Sequence, residues 1–134
     1  MADPKIVREW LHKADEDLNF ARINLEEGNN FYAQICFHFH QAAEKYLKSF
    51  IVAYVLEFEK THNLMNLLTA CSSIDTSLLS LMEECERLNT AYIDTRYPVH
   101  WPTDYTKEKA SKLRSDAEKI AHAIKTALEK GGYV

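Results

Sequence analysis

Residues 30–58, NFYAQICFHFHQAAEKYLKSFIVAYVLEF, decide the fold. Phe31, Ile35, Phe39, Ala42, Tyr46 and Phe50 recur at helical spacings and share one stripe. Cys36, Ala43, Leu47, Ile51 and Tyr54 form a second stripe beside it. A helix apolar over so wide an arc is contacted by more than one neighbour. The spacing therefore predicts a long helix over 30–58, central in a bundle or facing both a core and a second subunit.

Outward from that segment the helical period continues. Asp3-Pro4 reads as a helix start, because Asp caps free N–H groups and Pro fits the first turn. Ile6, Trp10, Ala14, Leu18, Ala21 and Leu25 then form a stripe, and Gly28-Asn29-Asn30 stops the helix, giving a first helix over 4–28. Thr61 is placed to cap a short helix with Leu64, Leu67 and Leu68, broken at Cys71-Ser72-Ser73. Asp75, Thr76 or Ser77 opens the next helix, where Leu78, Leu81, Met82, Cys85, Leu88 and Tyr92 keep the period to about Asp94. Pro98 and Pro102 mark a loop. Thr106 with Glu108 opens the last helix, whose stripe is Ala110, Leu113, Ala117, Ile120, Ile124 and Leu128, and Gly131-Gly132 ends it. The expected fold is all-α: one domain over 1–134, an up-and-down bundle of four long antiparallel helices plus one short helix.

Composition agrees. The 134 residues suffice for one core, and only three Gly and three Pro leave little room for a turn-rich fold. The net charge of −4 argues against coating a polyanion, since phosphate neutralisation needs a basic excess. Cys36, Cys71 and Cys85 show no CxxC spacing, which suits core thiols in a reducing compartment. The chain starts without a signal-peptide pattern and has no apolar run long enough for a bilayer, so a cytoplasmic location and no membrane partner are expected.

Chemistry concentrates at Asp94, Arg96, Tyr97 and His100, where the fourth helix meets the Pro-bounded loop. Arg offers planar donors suited to phosphate, and His exchanges a proton near neutral pH. Beside a phosphodiester, His100 would act as general acid or base while Arg96 stabilises the transition-state charge. On the long helix, Glu44 and Lys48 are four apart in the favourable order for an exposed ion pair, and Lys45 and Lys48 are candidates to meet a phosphate. No metal and no cofactor are expected. His38 and His40 diverge around the helix, and HExxH, GxSxG and Gly-rich phosphate loops are absent. His62 reads as orienting the short helix. Tyr32, Phe37 and Phe58, off the main stripes, are candidate dimer contacts.

Four segments, taken in order, resemble the HEPN family (higher eukaryotes and prokaryotes nucleotide-binding domain). They are Trp10 with Ala14…Asp17-Leu18…Ala21, the run Gln41-Ala42-Ala43-Glu44-Lys45-Tyr46-Leu47-Lys48, Thr61-His62-Asn63-Leu64, and Leu88-Asn89…Tyr92…Arg96-Tyr97-Pro98. The resemblance implies a bundle similar to the C-terminal domain of antibiotic nucleotidyltransferases, and a homodimer. It further implies a binding module working beside a separate minimal nucleotidyltransferase in a two-component, toxin–antitoxin-like system, with a nucleotide or RNA as ligand. Lys45, Lys48, Arg96 and Tyr97 are then the phosphate-binding candidates. The enzyme alternative is a metal-independent endoribonuclease using Arg96 and His100, although that pair is separated by only three residues, Pro98 among them, against a longer gap in the family's nuclease motif. A purely structural dimerisation or partner module is the third reading.

Overall fold

A computed structural model describes residues 2–57, 60–96 and 105–133, with residues 93–96 described by backbone alone. Among the described residues five α-helices and one 3₁₀ turn run in order: α1 (Pro4–Glu26), α2 (Tyr32–Ala53), α3 (Leu64–Ser72), the turn (Thr76–Leu81), α4 (Met82–Arg96) and α5 (Lys107–Lys130). No strand occurs among the described residues. α2 packs against α1, α3, α4 and α5, which is the central position its two apolar stripes require. Phe39, Tyr46, Phe50, Leu47 and Ile51 of α2 are sealed in the core. None of the described helices is long and apolar enough to cross a membrane.

Local chemistry sets most boundaries. The Asp3 side chain accepts a hydrogen bond from the Lys5 N–H at 2.9 Å, with Pro4 in the first turn. Gly28, at φ 76°, closes α1: the Asn29 N–H reaches back to the Asn24 carbonyl at 3.1 Å. Thr106 caps α5 as expected. α3 is capped by Asn63 rather than Thr61, whose hydroxyl accepts from the Asn63 N–H instead. The segment after Asp75 begins as the 3₁₀ turn before becoming α4.

Two expectations are corrected. α2 stops at Ala53, short of residue 58, because Val55 adopts a left-handed φ of 52° and Leu56 N–H bonds the Ile51 carbonyl at 3.0 Å. The glycine that normally signals this stop is absent, so the sequence concealed it. On α1 the core stripe is Val7, Leu11, Ala14, Leu18, Ala21 and Leu25, while Ile6 is half exposed. The two candidate stripes are offset by one residue, about 100° of helix, and only the position of α2 chooses between them.

Polar clamps tie the outer helices together. Arg87 of α4 grips buried Asp116 of α5 through two hydrogen bonds of 2.9 Å. Lys125 of α5 and the Tyr46 hydroxyl of α2 both donate to Asp15 of α1. The buried Tyr133 hydroxyl donates to the Ala53 carbonyl at 2.8 Å, pinning the chain end to the end of α2.

Candidate functional site

His40, Glu44 and Lys48 stand at successive turns of α2 and line one side of it. His40 is fully buried, and its Nε2–H donates to the His62 carbonyl at 3.0 Å. Burial pushes its ring down to about 4, so it is neutral at physiological pH. With the proton on Nε2, Nδ1 is an acceptor, and it has no hydrogen-bond partner of good geometry among the described residues.

Glu44 is the hub. Its Oε1 accepts from His62 Nδ1 at 2.8 Å and its Oε2 accepts from Lys48 Nζ at 2.8 Å. The residues Glu44 and Lys48 are 8% and 7% exposed respectively, which corrects the expectation of a solvated pair. The two charges are matched across the pair, as burial of an ion requires. The His62 side chain itself is 56% exposed and lies against the Tyr92 ring, centroids 5.2 Å apart and planes at 26°. Tyr92 in turn sits 4.6 Å from the His40 ring and 5.8 Å from Phe37.

Asn63 and Asn89 complete the wall. Asn89 Oδ1 accepts from the Leu64 N–H at 2.8 Å while its Nδ2 donates to Asn63 Oδ1 at 2.8 Å. Asn63 Oδ1 also accepts from the Met65 N–H, so two side chains satisfy the free amides of the α3 start. The result is an open pocket of about 250 Å³ lined by His62, Asn63, Asn89 and Tyr92. Its chemistry is that of a half-exposed imidazole with one nitrogen tethered to a carboxylate, beside amides and an aromatic face.

The expected site residues are distributed as follows. Lys48 belongs to the buried pair behind the pocket. Lys45 faces α1, where it bonds Asp17. Burial raises the Asp17 carboxyl, but bonds from His38 and Lys45 outweigh this and hold it low. Arg96 is the last residue of α4, four beyond Tyr92 and seven beyond Asn89, so its backbone continues their helical row. Tyr97 and His100, and with them the expected Arg–His pair, lie outside the described residues, as does the Asp94 side chain. Of the expected dimer contacts, Tyr32 and Phe37 are half buried and Phe58 lies outside the described residues. Sequence reasoning missed His62, Asn63, Asn89 and Tyr92 as a pocket, although all four sit inside the motifs that carry the family resemblance.

Comparison with known proteins bears on the family and the fold. A family model described as "HEPN domain" matches residues 7–127. The chain is 26% identical, over 93% of its length and 90% of the relative's, to "Putative toxin MJ1304" of Methanocaldococcus jannaschii. The crystal structure of TT1696 from Thermus thermophilus superimposes with a TM-score of 0.78 at 31% identity, covering 90% of this chain and 96% of the other. That of ST0689, an archaeal HEPN homologue, gives 0.72 at 25% identity with the same coverage.

Proposed function

The chain belongs to the HEPN domain family, and on that premise we propose that it is a nucleotide-associated binding module, one half of a two-component, toxin–antitoxin-like system. Its companion in this reading is a separate minimal nucleotidyltransferase. The name of the relative MJ1304, matched over nearly its whole length, supports the toxin–antitoxin setting. The observation that carries the binding role is the pocket of His62, Asn63, Asn89 and Tyr92, at the head of the helical row that ends in Arg96. A phosphate-bearing ligand or a polar side chain of the companion fits that combination of donors and one flat ring. Lys48 contributes through Glu44, and Arg96 and Tyr97 of the family motif remain the further phosphate-binding candidates.

The module is proposed to form a homodimer in the cytoplasm. Phe20, Ile23 and Phe31 support this, for each is more than half exposed where α1 ends and α2 begins. Gel filtration at low micromolar concentration should give twice the monomer mass, and a monomer removes that part. Thermal shift against a panel of nucleotides tests the ligand, because anything that prefers the native state raises Tm. No shift with any nucleotide, together with no co-purification with a co-expressed minimal nucleotidyltransferase, defeats the reading. Cleavage of RNA in EDTA that disappears in both Arg96→Ala and His100→Ala would replace it with the endoribonuclease.

A further inference from the structure

We infer that His62 is the anion-contacting group of the α2–α3–α4 pocket, that its Nε2–H donates to the phosphoryl oxygens of a phosphate monoester, and that Glu44 is the positioning residue behind it. This rests on the reading above that the pocket receives a phosphate-bearing ligand.

Three constraints fix the ring. An ionised carboxylate only accepts, so the 2.8 Å contact with Glu44 Oε1 puts a proton on His62 Nδ1. The His62 carbonyl is held by His40, and the ring is stacked on Tyr92, so both ends of the residue are located. Nε2, on the ring edge away from Glu44, has no hydrogen bond among the described residues and belongs to a side chain that lines the pocket and is more than half exposed. The tethered imidazole therefore presents one predetermined nitrogen.

The charges then select the ligand. From α2, Glu44 and Lys48 cancel as a buried pair, and His40 is neutral. From the α3 start and α4, Asn63, Asn89 and Tyr92 add polarity without charge. Among the described residues lining it, protonation of His62 thus gives the pocket one unit of positive charge. A phosphate dianion gains a charge-assisted hydrogen bond from that proton. The monoester loses its second proton near pH 6, and with Nδ1–H kept by Glu44 only the charged ring donates from Nε2. Affinity should therefore be bell-shaped, greatest where dianion and imidazolium coexist, and should fall as pH rises past the bound imidazolium.

AMP, adenosine and inorganic phosphate are the probes, read by calorimetry and by the NMR titration of the histidine Cε1–H signals, with His62→Gln assigning the His62 signal. AMP should raise the apparent pKa of His62 by about one unit, which by linkage is about a tenfold preference for the charged ring. Inorganic phosphate should act in the same direction, and adenosine should leave the signal in place. His62→Gln should weaken AMP about tenfold and abolish the alkaline limb of the bell, with its melting temperature confirming the fold. AMP that binds equally to His62→Gln, with the wild-type signal unmoved, overturns the inference and leaves the binding module standing. Adenosine binding as tightly as AMP also overturns it. No AMP binding at millimolar concentration removes both the inference and the phosphate-ligand part of the proposed function.

Discussion

Val55→Gly should stabilise this protein. Val55 holds φ 52° at the end of α2, the position where helices closing with Leu56-to-Ile51 and Val55-to-Val52 backbone bonds usually place glycine. The left-handed conformation costs an L-residue about 1–2 kcal/mol. Glycine returns about 0.5–1 kcal/mol of that as extra freedom in the unfolded chain. The valine side chain is 68% exposed, so little burial is lost. The net gain is about 0.5–1 kcal/mol, which for a domain of this size raises Tm by roughly 2–4 °C. Val55→Ala keeps the Cβ and most of the strain, and should change Tm little. Gly28→Ala provides the opposite test at φ 76°: an added Cβ meets no atom within 4 Å, so its expected loss of about 1 kcal/mol is backbone strain alone. Urea unfolding of all four proteins measures the set. A Val55→Gly variant no more stable than the parent, alongside a destabilised Gly28→Ala, refutes the assignment of strain to Val55.

Glu44→Gln removes the carboxylate that Lys48 and His62 both contact inside the bundle and should cost about 3 kcal/mol, seen as a lower urea midpoint. The buried His40 ring titrates near 4 folded and near 6.5 unfolded, so the unfolded state binds the extra proton between those values. Its contribution is fully favourable above pH 6.5 and declines as pH falls, by about 3 kcal/mol in all (2.5 units of about 1.36), and His40→Gln should flatten denaturation free energy across that window. Asp17, also held low, acts with the same sign at more acid pH: its stabilisation is present above 3.8 and is lost as pH falls below that value. Burial drives the thiols of Cys36, Cys71 and Cys85 up to about 12, so a disulfide-exchange reagent should find none of them reactive in the native protein and all three after unfolding.

Much of the architecture was legible along the chain because its causes are local. The period of Ala14, Leu18, Ala21 and Leu25, the Asp3-Pro4 entry, the Gly28 exit and the Thr106 cap each act within one or two helical turns. Where a local signal was missing, as at Val55, or ambiguous by one residue, as between Ile6 and Val7, the boundary or face was misread. The motifs carried the family, yet they did not disclose the site inside them.

Sequence by itself determined which segments are helices and that the wide apolar arc of α2 needs several neighbours, since helical period and capping depend on residues three or four apart. Tertiary structure alone decided that Glu44 and Lys48 are buried, that His62 is tethered to Glu44 across 18 residues, and that Asn89 caps α3 from 25 residues away. Those contacts depend on where helices cross. Crossing positions are set by side-chain packing summed over the whole core, which no local stretch of sequence contains.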